Sequence, residues 1–397
     1  MSDSAATLSA WLLDPSTSAL EPMALLDGLA VRLAAADLDL HRISIWIPTK
    51  HPDLWGHQLM WTPQSGPMVT RRSHEVSQST DYVGTPAEAL HKSGNSTLRC
   101  RLDREPDRSR FAMLAKMADA GATDDLLTSA EPRRLYGSWV SYATRRAGGF
   151  DDAQLALLQT LTPVLALHIQ LLAAHFATQS LLEVYLGRNA ARRVIDGEFR
   201  RGTGTEIDAA LWFCDMRGFT AMSDRLPARA VVGVLDRYFE HVATPIEEHG
   251  GEILKFIGDA TLAVFPIGEA GAGDACKRAL AAALAVLNRI DAWSSSEAGS
   301  IQLGIALHTG RVFYGNIGGR ERLDFTVIGA SVNEVCRVEA MCKTLGEPLL
   351  MTSAFVAGLG DGGATGDVVS LGDHALKGVA QSQEILTMRR RPDLPAT

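Results

Sequence analysis

Little in this sequence staples the chain, spans a bilayer or attracts polyanions. Its five cysteines, Cys100, Cys214, Cys276, Cys336 and Cys342, are scattered, odd in number and never spaced C-x-x-C. That pattern excludes a disulfide framework and a structural zinc site, and it fits a reducing, cytoplasmic setting. There is no basic excess: 38 Lys and Arg stand against 46 Asp and Glu, for a net charge of −8. A general nucleic-acid binder would show a basic field, so no nucleic-acid partner is expected. The start, Met-Ser-Asp-Ser-Ala-Ala, has no basic region before an apolar run, so no signal peptide is expected. The most apolar window, Leu155 to Phe176, is interrupted by Gln159, Pro163, His168, Gln170 and His175. We expect a buried or dimer-forming helix there and no membrane span. Internal repeats and low-complexity segments are also missing.

The 397 residues, 46% of them hydrophobic, are enough for two or three domains with cores that need no staples. Residues 1–176 read as an N-terminal domain. Leu25, Leu26, Leu29 and Leu33 recur at helical spacing, and Arg42 to Pro48 alternates like a strand with Ile43, Ile45 and Ile47 on one face. Leu135 to Thr144 reads as another strand. Asp151 and Asp152, after Gly148-Gly149-Phe150, should cap a helix running towards residue 176, kinked at Pro163. Trp46, Trp55 and Trp61 are either core and edge packing or the walls of a ligand pocket. Residues 177–206 are helical in pattern, interrupted by Gly187 and closed by Gly197, and form either a signal coupler or a plain linker. From residue 207 to 390, strand and helix patterns alternate: Ala209 to Asp215, Pro227 to His249, a hairpin over Glu252 to Phe265, Gly273 to Trp293, Ile301 to His308, Arg311 to Ile317, Leu323 to Ile328, and a helix from Ser331. The β-α-β-β-α-β order predicts a ferredoxin-like α/β (α+β) core with added elements.

Two aspartates stand out. Asp215 ends the apolar run Leu211 to Cys214, and Asp259 sits in the turn between Leu254 to Ile257 and Thr261 to Phe265. Either alone is a common cap or turn residue. As sheet neighbours they would repel unless a cation sat between them. A pair of divalent ions resolves that cost and equips the site for a polyphosphate. Gly218-Phe219-Thr220, directly after the first aspartate, offers backbone N–H groups to phosphate.

Phe213-Cys-Asp-Met-Arg-Gly-Phe-Thr220, Lys255-Phe-Ile-Gly-Asp259 with Leu262 to Phe265, His308-Thr-Gly310 and Val327 to Arg337 resemble, in order, the motifs of class III nucleotidyl cyclases. His374 to Val379 looks like that family's closing strand region. The resemblance covers about 180 residues, and it implies the following roles. Asp215 and Asp259 are the metal ligands for two Mg²⁺ or Mn²⁺ ions per active site. Met216, Arg217, Gly218, Phe219 and Thr220 form the phosphate-cradling turn. Lys255 and Thr326 read the base, Asn333 orients the ribose, and Arg337 neutralises charge on the transferring phosphoryl group. Lys255 as an ordinary strand lysine is the competing reading. His308 is expected to be structural and Cys214 to be core. The family builds its sites across a homodimer interface, and this chain carries both residue sets.

Lysine suits adenine, whose N1 accepts a hydrogen bond, so the expected activity is adenylate cyclase, a phosphorus-oxygen lyase making 3′,5′-cyclic AMP and pyrophosphate from ATP. Lysine can also donate to guanine O6, which keeps a guanylate cyclase open. The rival of another class is a catalytically silent module on the same fold. The strand–helix order of residues 1–176 looks like a GAF-type sensor domain, for an unknown small-molecule ligand. Tyr185 to Ala190 resembles the transducing segment that precedes many cyclase domains.

Overall fold

The computed structural model describes residues 2–18, 20–131, 137–296, 301–360, 367–379 and 381–389. The chain divides into two compact units, Met1–Val184 and Tyr185–Thr397.

The first unit contains α1 (Ser2–Leu13), α2 (Pro15–Ser18), α3 (Pro22–Ala35), β1 (Leu40–Pro48), β2 (Leu54–Thr62), β3 (Gly66–Ser73), a 3₁₀ turn (His74–Gln78), α4 (Pro86–Ser93), β4 (Thr97–Arg101), α5 (Ala112–Asp119), β5 (Asp124–Ser129), β6 (Trp139–Thr144) and α6 (Asp152–Leu186). The strands form one antiparallel sheet in the order β3-β2-β1-β6-β5-β4. Ile43, Ile45 and Ile47 do share a face, and they pack with Leu25, Leu29 and Leu33 of α3 and with Leu158, Leu161 and Leu165 of α6. Truncating one such side chain to Ala costs about 2–5 kcal/mol. On the opposite face, Leu90 of α4 meets Leu127, and Leu114 of α5 meets Cys100. Asp151 caps α6 by accepting from the Gln154 N–H at 2.8 Å, and the Gln154 side chain accepts in return from the Asp151 N–H.

Helix α6 runs through Pro163 to Leu186 without ending. It is long and apolar enough to cross a membrane by length and composition, and 44% of its apolar window is buried inside the protein. Strand β6 is shorter than the sequence suggests, starting at Trp139, while Leu135 and Tyr136 lie outside the described residues.

The second unit opens with α7 (Arg188–Ile195), after Gly187 breaks the helix at φ +84°. There follow β7 (Gly204–Arg217), α8 (Phe219–Ser223), α9 (Ala228–Glu248), β8 (Glu252–Ile257), β9 (Ala260–Pro266), α10 (Gly271–Ser296), β10 (Gln302–Gly318), β11 (Leu323–Ile328), α11 (Ala330–Leu345), β12 (Leu349–Thr352), α12 (Ser353–Leu359), β13 (Asp367–His374) and β14 (Gln383–Arg389). Strands β10-β7-β9-β8 lie side by side and antiparallel, with α9 and α10 as crossovers, which is the ferredoxin-like βαββαβ arrangement. Strands β12, β14 and β13 extend the sheet beyond β10, and β11 folds back on β10. One face buries Trp212, Tyr238, Phe265 and Val286 under α9 and α10. The other buries Leu211, Val264, Val335 and Val338 under α11.

Two expectations fail locally. The sequence pattern separates a strand over Ile301 to His308 from one over Arg311 to Ile317, yet β10 runs through Thr309 and Gly310 in unbroken register with β7. Gly310 is there because a Cβ would collide with the Ser331 hydroxyl. Strand β13 stops at His374, and the chain turns at Gly378 (φ +76°), so residues 375–379 are not strand.

Candidate active site

Strand pairing brings the two aspartates together. Cys214 pairs with Thr261 across β7 and β9, which sets Asp215 one residue from the tight β8–β9 turn where Gly258 (φ +66°) delivers Asp259. On β7, Leu211 and Phe213 point towards α11 and Trp212 and Cys214 towards α9 and α10. By period two, Asp215 joins the α11 side. Burial and then the Asp259 carboxylate beside it push Asp215 up to about 7, opposed by the Met216 backbone N–H. Asp215 Oδ1 is buried and has no hydrogen-bond partner among the described residues. Cys214 is core, its Sγ 3.4 Å from the Tyr238 hydroxyl.

A third carboxyl group stands behind this pair. Glu339 on α11 is pushed up to about 7 by burial and then by Asp215, with Asp259 adding to the rise and Arg217 opposing it. Its Oε1 lies 2.6 Å from where a Cβ on Gly304 would be, and Gly304 pairs with Asp215. Glu339 went unnoticed in the sequence. Its signal is a charge on the apolar stripe of Val335, Val338 and Cys342, four residues from the first and three from the last.

The stretch after Asp215 is less turn-like than expected. Met216 and Arg217 still belong to β7, and the Met216 side chain is buried in the core. The Arg217 guanidinium donates to the Glu347 carbonyl at 2.6 Å. Gly218, left-handed at φ +78°, then starts α8 with Phe219 and Thr220. Backbone N–H groups at that helix start are the ones left to meet an anion.

Lys255 on β8 donates to Asp324 Oδ2 on β11 at 2.6 Å, and the Lys255 ammonium holds the Asp324 carboxyl below its usual range. Asp324 and Thr326 share a face of β11, while Phe325 and Val327 between and beside them are buried. Asp324 was not among the expected site residues. Its signal is the two-residue spacing from Thr326.

Asn333 and Arg337 are one helical turn apart on α11, Asn333 exposed and Arg337 half-buried with its guanidinium against Gly378. Arg337 precedes Glu339 by two residues, about 200° around the helix, so it does not face the aspartates that Glu339 faces. Among the described residues no ion pair joins Arg337 to Asp215 or Asp259. His308 is buried, which lowers its pKa to about 4; its Nδ1 lies 2.9 Å from the Thr352 hydroxyl and its Nε2 3.3 Å from the Glu334 carboxylate.

Residues 205–383, which include this sheet and both aspartates, match the family described as the adenylate and guanylate cyclase catalytic domain. The second unit therefore carries a cyclase catalytic domain. An adenylate cyclase of Anabaena cylindrica is 35% identical over 166 residues, covering 40% of this chain and 32% of that protein. An uncharacterized protein of Mycobacterium tuberculosis is 33% identical over 214 residues, 52% of this chain and 36% of that protein. The chain thus spans about a third of the length of these relatives. The solved adenylyl cyclase CyaB of P. aeruginosa aligns over 49% of this chain and all of its own, at 25% identity and a TM-score of 0.43.

Proposed function

We propose that the chain is a cytoplasmic adenylate cyclase that converts ATP to 3′,5′-cyclic AMP and pyrophosphate as a homodimer, with the first unit acting as a GAF-like sensor. The observation that carries this reading is the Asp215–Asp259 pair, two carboxylates in contact with no ion-pair partner among the described residues. An orphaned buried carboxylate oxygen beside a second carboxylate fits a hard divalent ion such as Mg²⁺ or Mn²⁺. Asp215 and Asp259 would hold two such ions, whose contribution at a triphosphate is charge neutralisation and a lowered pKa for a bound hydroxyl.

The remaining work falls to side chains of this chain. Lys255 donates to adenine N1, and Thr326 accepts from the N6 amino group. Asn333 orients the ribose so that its 3′-hydroxyl lies in line with the α-phosphorus. Arg337 balances the charge developing on the transferring group, and the N–H groups at Gly218 to Thr220 hold phosphate oxygens. Because Arg337 faces away from its own Asp215, the site is completed by the Lys255, Thr326, Asn333 and Arg337 set of a second copy. Residues 177–206 carry the sensor's state. In support, α7 is packed into the second unit: Asn189 donates to Glu252 at 3.1 Å, Glu252 accepts from the Tyr314 hydroxyl at 2.8 Å, and Glu252 lies three residues before Lys255.

A guanylate cyclase is the second reading, and one observation favours it. The Asp324 carboxylate at the base-reading lysine can accept from guanine N1–H, which adenine lacks. Supplying the purified chain with ATP or GTP and either metal, then weighing the product, decides among the readings. Cyclic AMP as the preferred product is expected. Preferred cyclic GMP overturns the adenylate assignment, and no cyclic nucleotide under any condition makes the domain a silent module. Shared sites are tested by mixing two inactive variants, Asp259→Ala and Arg337→Ala. Random exchange makes half the dimers mixed, each with one intact site of two, so about a quarter of wild-type activity should return. Activity no higher than the separate variants, with mixed dimers shown by differential tags, would place the whole site within one chain.

A further inference from the structure

The sheet of the first unit holds a cavity on the face away from its main core. Across β6, β1 and β2, Trp139, Trp46 and Gln58 pair in one row, and Arg42 stands on the same face of β1, with Ser44 between it and Trp46. The 3₁₀ turn, the loop after it and α4 close over this row with Val76, Tyr82 and Ala87, leaving an open-mouthed cavity.

Three properties of the wall define what fits. It is aromatic: the Trp46 and Trp55 rings lie 4.6 Å apart, and Tyr82 meets Trp55 edge-on at 4.7 Å. Flat rings present faces and edges that reward a planar occupant over a globular one. It holds two unpartnered donors: Trp46 is 4% exposed with Nε1 unpartnered, and Arg42 Nε is also buried and unpartnered. Each orphaned donor carries a desolvation cost that an incoming acceptor would remove. Its charges are already answered: Arg42 stands 3.6 Å from buried Asp125, and Arg72 3.5 Å from Asp81. A polyphosphate would find no unpaired cation cluster, and a cationic ligand would meet two guanidinium groups.

We propose that this cavity binds a small planar ring compound bearing hydrogen-bond acceptors, neutral or with a single negative charge, which Trp46 Nε1–H and Arg42 Nε–H grip while the aromatic walls stack on it. Its regulatory meaning rests on the sensor reading of the first unit. Binding itself is measured directly, without cyclase output, so the two fail separately. The full chain is titrated by ligand-observed NMR with nicotinate, quinolin-2-one and hypoxanthine. Cyclohexanecarboxylate, choline and pyrophosphate serve as controls.

At least one planar probe should saturate with a Kd at or below about 1 mM, and the controls should not. Trp46→Phe keeps the ring and removes one N–H, so binding should weaken about tenfold. Met113→Trp, at the half-buried rim, leaves Arg42 and Trp46 in place and blocks entry, so it should abolish binding even if Trp46→Phe disturbs packing. The proposal is overturned if no planar probe saturates, if the controls bind equally well, or if Met113→Trp binds like wild type.

Discussion

Each unit of this protein places two aspartates close together, fully buried in the first and half-buried in the second, and the two units treat them in opposite ways. In the first, Asp124 is fully buried but receives Arg99 at 2.7 Å and the Phe150 N–H at 3.0 Å. Its neighbour Asp125, raised by burial, is pulled back by Arg42 and by the Ser141 hydroxyl at 2.7 Å. In the second, Asp215 and Asp259 are in contact, with Glu339 nearby, and Arg217 acts on Glu339. The first arrangement is complete and holds the fold. The second is left open, and on the proposed reading a divalent cation from outside completes it.

The contrast predicts opposite outcomes for the same kind of substitution. Asp215→Ala or Asp259→Ala should lower turnover by at least about a hundredfold, with no loss of thermal stability, because a repulsion is relieved. Asp124→Ala should do the reverse, costing about 3–5 kcal/mol by stranding the partners of a buried carboxylate. Calorimetric unfolding and product assays on the three variants check both halves. A marked fall in stability with Asp215→Ala, or none with Asp124→Ala, would erase the distinction.

A smaller effect is expected at Lys255, the lysine proposed to read the base. Lys255→Glu combined with Thr326→Ala should move the ATP-to-GTP ratio of kcat/KM towards GTP, by about tenfold for one well-made polar contact. Asp324→Asn keeps the shape and removes the charge that holds Lys255 at 2.6 Å. It should free the lysine for adenine N1 and move the ratio towards ATP. Unchanged ratios in both variants would remove this ion pair from base selection.

How much of this was legible in the chain follows from what each residue's neighbours are. The aspartates were legible because each interrupts or ends an apolar strand, where a charge has no packing reason to be. The βαββαβ order was legible from alternating periodicities, and the observed strand order agrees with it. The unbroken β10 was not, since Gly310 answers to Ser331, a contact from a helix further along the chain. Glu339 was hidden because one charge on a helical stripe looks like a solvated position until the facing strand is known. Asp324 was hidden because attention rests on the residue in the motif rather than on its same-face neighbour two positions earlier. Among the tryptophans, Trp46 and Trp55 line the cavity, whereas Trp61 donates to Asp27 at 3.1 Å elsewhere. Sequence cannot separate them, because strand register decides which indole meets which wall.

The smallest predicted effect isolates the metal from the chemistry. If the open acidic pair is a cation site, Mg²⁺ or Mn²⁺ should stabilise the second unit without any nucleotide present. At ten times its Kd, a ligand that binds only the folded state contributes about 1.4 kcal/mol. For a unit of this size that is a rise in Tm of about 3–5 °C. Asp259→Asn removes one charge from the pair and should abolish the rise. Asp125→Asn, in the self-satisfied pair of the first unit, should leave it intact. Differential scanning calorimetry with and without chelator reads the shift directly, and each variant serves as control for the other. Equal metal-dependent shifts in wild type and Asp259→Asn would mean that the ions bind elsewhere. The Asp215–Asp259 repulsion would then be a strain the fold carries for another reason.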